Sequence, residues 1–304
     1  ELLSVHSTSN AGKPLSTVHT DLLGETDLLF AEQPMTNADV LFLCVGHGDA
    51  RKFLEQNSMA PFTKIIDLSQ DFRLTPGSTV GERKFVYGLP ELNKEAIITA
   101  NNIANPGCFA TAIQLALLPL AKAGVLSDVH TTGITGSTGA GQSLTNTSHF
   151  SWRANNIQAY KSLHHQHIKE ITASVNQLQK DSPLSALGEG PGIHFVPWRG
   201  DFTRGILAAM YIESDLTEEA AYKLYESYYA SHPFTHVSRK NIDLKQVVNT
   251  NKCLIHLEKH GNKLFIISII DNLLKGASGQ AVQNMNLMFG LEETVGLKLK
   301  AIGF

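Results

Sequence analysis

The chain reads as an α/β protein built from two unlike halves, and three observations predict it. At 304 residues it is long for a single hydrophobic core, so two domains are expected. In the first half, buried-looking apolar runs alternate with helical segments, the pattern of βαβ units on a parallel sheet. In the second half, runs of strands follow one another with few helices between them, which predicts a mostly antiparallel sheet. Hydrophobic content of 42% and charged content of 17% fit a well-packed globule, and a net charge of −3 gives no basic footprint for a polyanion. No apolar run reaches the length of a membrane span and the first residues are neither basic nor signal-like, so a cytoplasmic location is expected. Three cysteines without paired spacing argue against a disulfide framework and for a reducing compartment.

Taken in order, residues 2–5 read as a short strand followed by a turn rich in hydroxyls and amides. A dinucleotide-binding sheet often carries an acidic residue at this place, where it holds a ribose 2′-hydroxyl. Here the turn offers Ser7, Thr8, Ser9 and Asn10 with Lys13 nearby. Neutral donors plus a cation suit a 2′-phosphate, so NADP is the expected cofactor, although an ordinary polar loop has the same composition. The strand, glycine-rich turn and helix that open such a fold have no counterpart before this strand, and a preceding segment is expected to supply them.

Residues 39–45 form the next apolar strand, 46–48 a turn, 49–56 a helix with a polar face, and 64–68 another buried strand. His47, between two glycines, reads as a hydrogen-bonded turn residue, and Cys44 as a core thiol of its strand. Residues 69–73 and 85–92 read as loop and turn, and 97–100 with 102–104 as strand.

That strand leads into Asn105-Pro106-Gly107-Cys108, behind which lies the apolar run Ile113, Leu115, Ala116, Leu117 and Leu118. Pro106 biases Asn105 away from helix and Gly107 bends without a Cβ clash, so a helix begins at or just after the cysteine. A thiol at a helix start faces unpaired N–H groups and the positive end of the dipole, both of which favour the nucleophilic thiolate. The alternative is a buried small hydrophobe, as expected of Cys253 among Leu254, Ile255 and Leu257.

Residues 129–134 form a strand that runs into a Gly/Ser/Thr loop containing Ser137, Gly139 and Gly141. Such a loop can bring backbone N–H groups close to an anion or a nicotinamide. Three histidines then cluster at His164, His165 and His167. Ile168, Ile171, Val175 and Leu178 recur at helical spacing, and extending the stripe backwards places His164 on the core side as a packing residue. His165 and His167 fall off the stripe, and Glu170, three residues beyond His167, is expected to face it and favour its imidazolium. No second Cys/His pair with ligand spacing accompanies the cluster, so no metal is expected.

After a Gly/Pro-rich linker, residues 206–212 read as a strand, 216–230 as an amphipathic helix, and 247–257 and 264–270 as further strands. Arg199 and Arg204 offer forks for a substrate carboxylate or serve as structural ion-pair partners. Residues 275–288 read as a glycine turn and a helix that returns to the first domain.

With these parts assembled the chain resembles the N-acetyl-γ-glutamyl-phosphate reductases, the arginine-biosynthesis relatives of aspartate-semialdehyde dehydrogenase. The residues that carry the likeness are 103–111 continuing to Pro119, together with 66–73, 87–92 and 279–284. The resemblance implies a Rossmann-like NADP-binding domain and an α+β catalytic and dimerisation domain, NADPH as reductant, and a homodimer or homotetramer. Residues 1–107 with 276–304 would form the first domain and 108–275 the second. It carries Cys108 over as nucleophile and His165 as acid/base, with supporting roles for His167 and Glu170. Asn284 falls to the cofactor, and Asn105, Arg199 and Arg204 to the substrate, an acyl phosphate. Aspartate-semialdehyde dehydrogenase itself and a catalytically idle NADP sensor are the rival readings. Residues 197–202 depart from the usual family sequence, which predicts a reshaped acyl pocket in which Arg199 admits an acidic acyl group such as succinyl.

Overall fold

A computed structural model describes residues 1–141, 144–185 and 191–303. The first apolar residues give β1 (Val5–His6), paired in parallel with β2 (Phe30–Ala31). Next β3 (Val40–Leu43), α1 (Asp49–Gln56) and β4 (Lys64–Asp67) form a βαβ unit. A small hairpin of β5 (Thr79–Val80) and β6 (Arg83–Lys84) precedes β7 (Val86–Tyr87), α2 (Pro90–Ile98) and β8 (Asn102–Ala104). Four of these strands make a parallel sheet in the order β3-β4-β8-β7. The expected parallel sheet is present, with two local corrections.

Residues 85–92, read as loop, supply β7 and the start of α2 instead. β7 is two residues long and exists through its pairing with β8, and Pro90 sits at the first helical positions where its fixed φ is pre-set. The run 97–100, read as strand, begins as the last turn of α2, with Ile97 buried against Ile66 and Ile103. Short apolar runs do not separate helix from strand by periodicity.

The second half contains α3 (Cys108–Lys122), β9 (Val129–Thr135), α4 (Phe150–Arg153), β10 (Gln158–Ala159), α5 (His167–Leu178) and β11 (Ile193–Arg199). It continues with β12 (Ile206–Glu213), α6 (Glu218–Tyr229), β13 (Thr235–Ser238), β14 (Cys253–His260) and β15 (Lys263–Ile270). Its seven strands run β10-β11-β9-β12-β15-β14-β13, parallel only at β11–β9 and β13–β14, so the sheet is mostly antiparallel as expected.

Every residue of α3 from Phe109 to Ala121 is buried, because the helix lies between the sheet and helices α5 and α6 in the main core. A helix apolar all round is stable only in such a place. The opposite face of the sheet is left uncovered by these helices and carries a stack of rings, His130 lying 5.0 Å from His194 and 4.9 Å from Tyr211. The last helix, α7 (Ser278–Met288), returns to the first sheet, where Ala281, Leu287 and Met288 pack with Ile66 and Ile103. Just before it, fully buried Lys275 donates to Glu91 Oε1 at 2.8 Å and to Gln283 Oε1 at 2.9 Å, and Thr235 Oγ1 donates to the same Glu91 oxygen. This ion pair ties α2, α7 and the large sheet together, and the cysteine turn is held where they meet.

Candidate active site

The turn into α3 is fixed by neighbours on all sides. The Asn105 N–H donates to Asp67 O at 2.8 Å, continuing the parallel ladder, and Gly107 is the N-cap. A Cβ added to Gly107 would stand 2.3 Å from His167 Nε2, and one added to Gly276 would stand 2.8 Å from the Cβ of Cys108. Both positions therefore need glycine to let these groups close on the sulfur.

Glu170, buried on α5, reaches back to this turn. Its Oε1 accepts from the Gly107 N–H at 2.8 Å and from Tyr87 Oη at 2.6 Å, while Arg73 Nη1 lies 3.4 Å from Oε2. Arg73 in turn donates to Asn105 O at 2.8 Å and to Leu68 O at 3.0 Å. The expected pairing of Glu170 with His167 is thus replaced. At i, i+3 the two share a helix face, but the carboxylate turns to the stronger donors that the first sheet presents. Its charge does act on His165, whose pKa it raises against the larger effect of burial.

His165 and His167, expected off the buried stripe, are 5% and 8% exposed. His164, expected inside, is exposed, and its Nδ1 bonds Ser162 O. The stripe fails backwards because helix α5 begins at His167, and residues 161–166 form a turn instead. Lys161 and Leu163 there have positive φ, as does nearby Asn155, a strained backbone that swings His165 inward. The His165 ring meets Phe109 at 5.9 Å, Tyr160 at 5.8 Å, Phe195 at 5.5 Å and His167 at 4.6 Å, each edge to face. The His167 N–H donates to His165 Nδ1 at 3.2 Å, so the neutral ring carries its proton on Nε2.

Burial, then the neighbouring His167, pushes the His165 pKa down to about 3, and burial, then Arg73 and His47, does the same to His167. The Cys108 pKa is also raised by burial, against the opposing pull of the Phe109 N–H and Arg73. The thiolate expected from the helix start is therefore not the resting form. Desolvation by the surrounding core outweighs the helix terminus, and the site rests as a thiol with neutral imidazoles. The sign for stability follows. An unfolded histidine titrates near 6.5, so between that pH and about 3 the unfolded chain binds protons that the folded chain refuses. Stability is expected to fall on acidification by roughly 2 kcal/mol per histidine at about pH 5. Urea unfolding at neutral and acid pH measures it, and a slope unchanged in His165→Asn and His167→Asn would refute the assignment.

The other expected site residues divide clearly. Ser7, Ser9, Asn10 and Lys13 converge, Lys13 Nζ donating to Asn10 Oδ1 at 3.2 Å and Asn10 Nδ2 to Ser7 Oγ at 3.5 Å, with Thr8 exposed beside them. In the 135–141 loop the N–H groups of Ser137, Thr138, Gly139 and Gly141 all donate to carbonyls within the protein, so that loop is no anion cradle. Asn105 is another correction. Its Nδ2 donates to Ala277 O and its Oδ1 accepts from Asn284, so it braces the turn instead of facing a substrate. Asn284 also donates to Gly88 O, but its own Oδ1 is buried without a partner among the described residues. Arg204 is a structural ion-pair partner, 2.9 Å from fully buried Asp271. Arg199 lies over the Tyr160 ring at 4.8 Å.

Cys253 is buried as expected, whereas Cys44 follows the end of β3 and is exposed. His47 is the turn residue anticipated, its Nδ1 accepting from the Gln70 N–H at 3.2 Å. Arg73, Tyr87 and Tyr160 were missed as site residues. Arg73 follows the C-terminal end of β4 and Tyr87 closes β7, the end of a parallel sheet where ligands bind, and that signal could have found them. A cavity of about 890 Å³ reaches Arg73, His165 and Glu170. Among the described residues, no group of three or more His, Cys, Asp or Glu side chains could hold a metal ion.

A parallel-sheet domain joined to a sheet-and-helix domain, with a cysteine at a helix start beside paired histidines, defines a semialdehyde-dehydrogenase architecture. Residues 1–100 match the semialdehyde dehydrogenase NAD-binding domain and 108–272 the semialdehyde dehydrogenase dimerisation domain. Among solved structures, aspartate semialdehyde dehydrogenase II of Vibrio cholerae superposes with a TM-score of 0.64 at 16% identity, over 83% of this chain and 80% of that one. A probable aspartate-semialdehyde dehydrogenase of Pseudomonas aeruginosa gives 0.68 at 15%, over 94% and 89%. Much nearer in sequence are proteins named N-acetyl-gamma-glutamyl-phosphate reductase. That of Bacteroides thetaiotaomicron is 56% identical over all of this chain and 92% of its own length, and that of Flavobacterium johnsoniae 56% identical over 99% and 90%. The chain belongs to the N-acetyl-γ-glutamyl-phosphate reductase family.

Proposed function

We propose that this chain reduces an N-acyl-γ-glutamyl phosphate, N-acetyl in the name of its relatives, to the semialdehyde and phosphate for arginine biosynthesis. NADPH is the reductant and Cys108 the nucleophile. The observation that carries the reading is the glycine-flanked sulfur at the start of α3, enclosed by Arg73, Glu170 and the His165/His167 pair.

Cys108 Sγ attacks the acyl carbon, a C–S bond forms, the C–O bond to phosphate breaks, and the thiol proton leaves with the phosphate. An acyl phosphate is activated enough for this step and a free carboxylate is not, which is why a covalent thioester is used. The Phe109 N–H at the helix start and the Arg73 guanidinium favour the sulfur anion as it forms. An anionic substrate raises the His165 pKa from its low resting value, so charge develops on the ring only when the site is filled.

NADPH, when bound, supplies the hydride that reduces the thioester carbon. The turn of Ser7, Thr8, Ser9 and Lys13 fits its 2′-phosphate, since it gathers neutral donors and a cation without a carboxylate among them. The Oδ1 of Asn284, without a partner among the described residues, fits the amide of a nicotinamide, and Ser137, Gly139 and Gly141 would meet the cofactor through side chain and Cα, their N–H groups being engaged. His165 Nε2, the ring nitrogen left free by the His167 N–H, donates a hydrogen bond to the oxygen of the tetrahedral adduct, and the ring, having taken a proton from solvent once the site is filled, passes it to the sulfur as the C–S bond breaks.

We assign residues 1–107 with 276–304 to cofactor binding and 108–275 to catalysis and dimerisation, a division supported by the return of α7 to the first sheet. The uncovered face of the seven-stranded sheet supports a homodimer or homotetramer. No helix among the described residues is long and apolar enough to cross a membrane, which is consistent with a cytoplasmic enzyme. The test is phosphate-dependent oxidation of N-acyl-glutamate semialdehyde, followed by NADPH formation, with aspartate semialdehyde as the competitor. A preference for the acylated semialdehyde of at least about a hundredfold in kcat/KM is expected. Equal or better use of aspartate semialdehyde would make the chain an aspartate-semialdehyde dehydrogenase, and oxidation of neither would leave an idle NADP sensor.

A further inference from the structure

Two neighbouring guanidinium groups, Arg199 over the Tyr160 ring and Arg153 close enough to feel its charge, meet no carboxylate within ion-pair distance among the described residues. Arg73, Arg204 and Arg239 meet carboxylates, while Arg51 donates two and Arg83 three hydrogen bonds to backbone carbonyls. Arg153, 9% exposed on α4, donates from Nη2 to Thr147 O, and its Nη1 is buried with no partner among the described residues. Arg199, at the end of β11, likewise has a buried Nε with no partner. Neither forms an ion pair within 4.0 Å among the described residues. A buried N–H donor without an acceptor is costly, and two on neighbouring cations point to an anionic group that completes them.

The fold explains how the two come together. Gln158 of β10 pairs with Arg199, and the Tyr160 N–H donates to Pro197 O, so Tyr160 lies diagonally across the ladder on the same face as Arg199. Its ring lies 4.8 Å from the guanidinium and 5.8 Å, edge to face, from the His165 ring. Burial pushes the Tyr160 pKa up to about 12, the nearby Cys108 adding to the rise. Asp201, two residues past Arg199, accepts from the Asn155 N–H at 2.6 Å and so fastens the end of α4, with Arg153, to the same loop. Arg153 stacks on Trp152 at 5.1 Å and feels the positive charge of Arg199, which lowers its pKa beyond the effect of burial. The Asp201 carboxylate, which acts on Arg153, meets neither guanidinium within ion-pair distance among the described residues.

We propose that Arg153 and Arg199 form a carboxylate subsite next to Cys108, and that the acyl group on the substrate nitrogen is a dicarboxylic one ending in a free carboxylate, such as succinyl. The inference rests on the reductase reading above and specifies its substrate. From the acyl-phosphate carbon to the far carboxylate of an N-succinyl group is roughly eight bonds, ~10 Å when extended. Arg199 stands 4.8 Å from the Tyr160 ring and that ring 5.8 Å from His165, a path that an extended acyl chain of this length can follow. A planar carboxylate takes a guanidinium fork at each end, which an acetyl methyl cannot do. Residues 198–201, Trp-Arg-Gly-Asp, supply Arg199 together with the Asp201 that fastens the end of α4 to this loop.

The experiment compares N-succinyl-, N-butyryl- and N-acetyl-glutamate semialdehyde in phosphate-dependent oxidation by the full chain. Butyryl has the carbon count of succinyl without its charge. The expected result is a kcat/KM for succinyl at least about tenfold above both neutral substrates, carried mainly by KM. Arg199→Met and Arg153→Met are each expected to cut the succinyl-to-butyryl ratio about tenfold or more, with Arg199→Lys keeping part of it. A thermal melt checks folding, and if Arg153→Met does not fold, Arg199, the less buried of the pair, decides. Butyryl or acetyl used as well as succinyl overturns the subsite and leaves the reductase standing. A ratio unmoved by Arg199→Met overturns it too, and turnover of none of the three removes the reductase reading itself.

Discussion

Cys108→Ser is expected to lower turnover by at least about three orders of magnitude while the protein keeps its fold and melting temperature. Burial already raises the thiol pKa, and the same burial acting on an alcohol leaves no accessible alkoxide. The serine hydroxyl occupies the same small space against Gly276, so packing is retained. His165→Asn, which keeps a donor amide but cannot exchange a proton, is expected to lose about 10²–10⁴ in kcat, with the acid limb of the pH profile moved. Steady-state oxidation of the semialdehyde, with circular dichroism on each variant, measures both. A serine variant with a tenth or more of the parent activity would end the thioester mechanism.

Arg73→Met carries the largest expected loss of stability, about 3–5 kcal/mol, because it leaves the Glu170 carboxylate buried without its cation. It also strips the Asn105 and Leu68 carbonyls of their donor, so the cysteine turn loosens where three segments meet. Arg73→Met with Glu170→Gln removes both charges and is expected to recover a large part of the loss. Urea unfolding midpoints at constant slope give the comparison. A single-variant loss below about 1 kcal/mol would mean that the pair is solvated and that the turn is braced by something else.

Much of the fold was readable from local pattern. The helix at Asp49–Gln56 was placed residue for residue, since its glycine turn and polar face are local signals. The helix behind Cys108, the amphipathic α6 and the contrast between a parallel and a mostly antiparallel sheet were equally legible. The segment 85–92 was not, because a two-residue strand is defined by the neighbour it pairs with. His164 and His165 exchanged places because a stripe extended past the end of a helix obeys no period. Cys44 was read as buried on composition alone, but the strand ends one residue earlier and leaves it outside.

For the site, chain order located Cys108, the histidines and Glu170 as a group, and its likeness to a family supplied their roles. It placed a glutamate near His167 but not the Gly107 N–H and Tyr87 hydroxyl, 63 and 83 residues away, that take its carboxylate. What the sequence determined by itself is the nucleophile's setting: a proline–glycine turn, a helix start and an apolar run, all encoded within about one helical turn of the cysteine. What tertiary structure alone decided is the charge state of that setting and the company around it. Desolvation is a property of the whole surrounding core, and it turned an expected thiolate and imidazolium into a neutral thiol and neutral imidazoles. Long-range register did the same for Arg199, bringing a cation without a carboxylate partner among the described residues to the ring beside His165, which no local spacing announces.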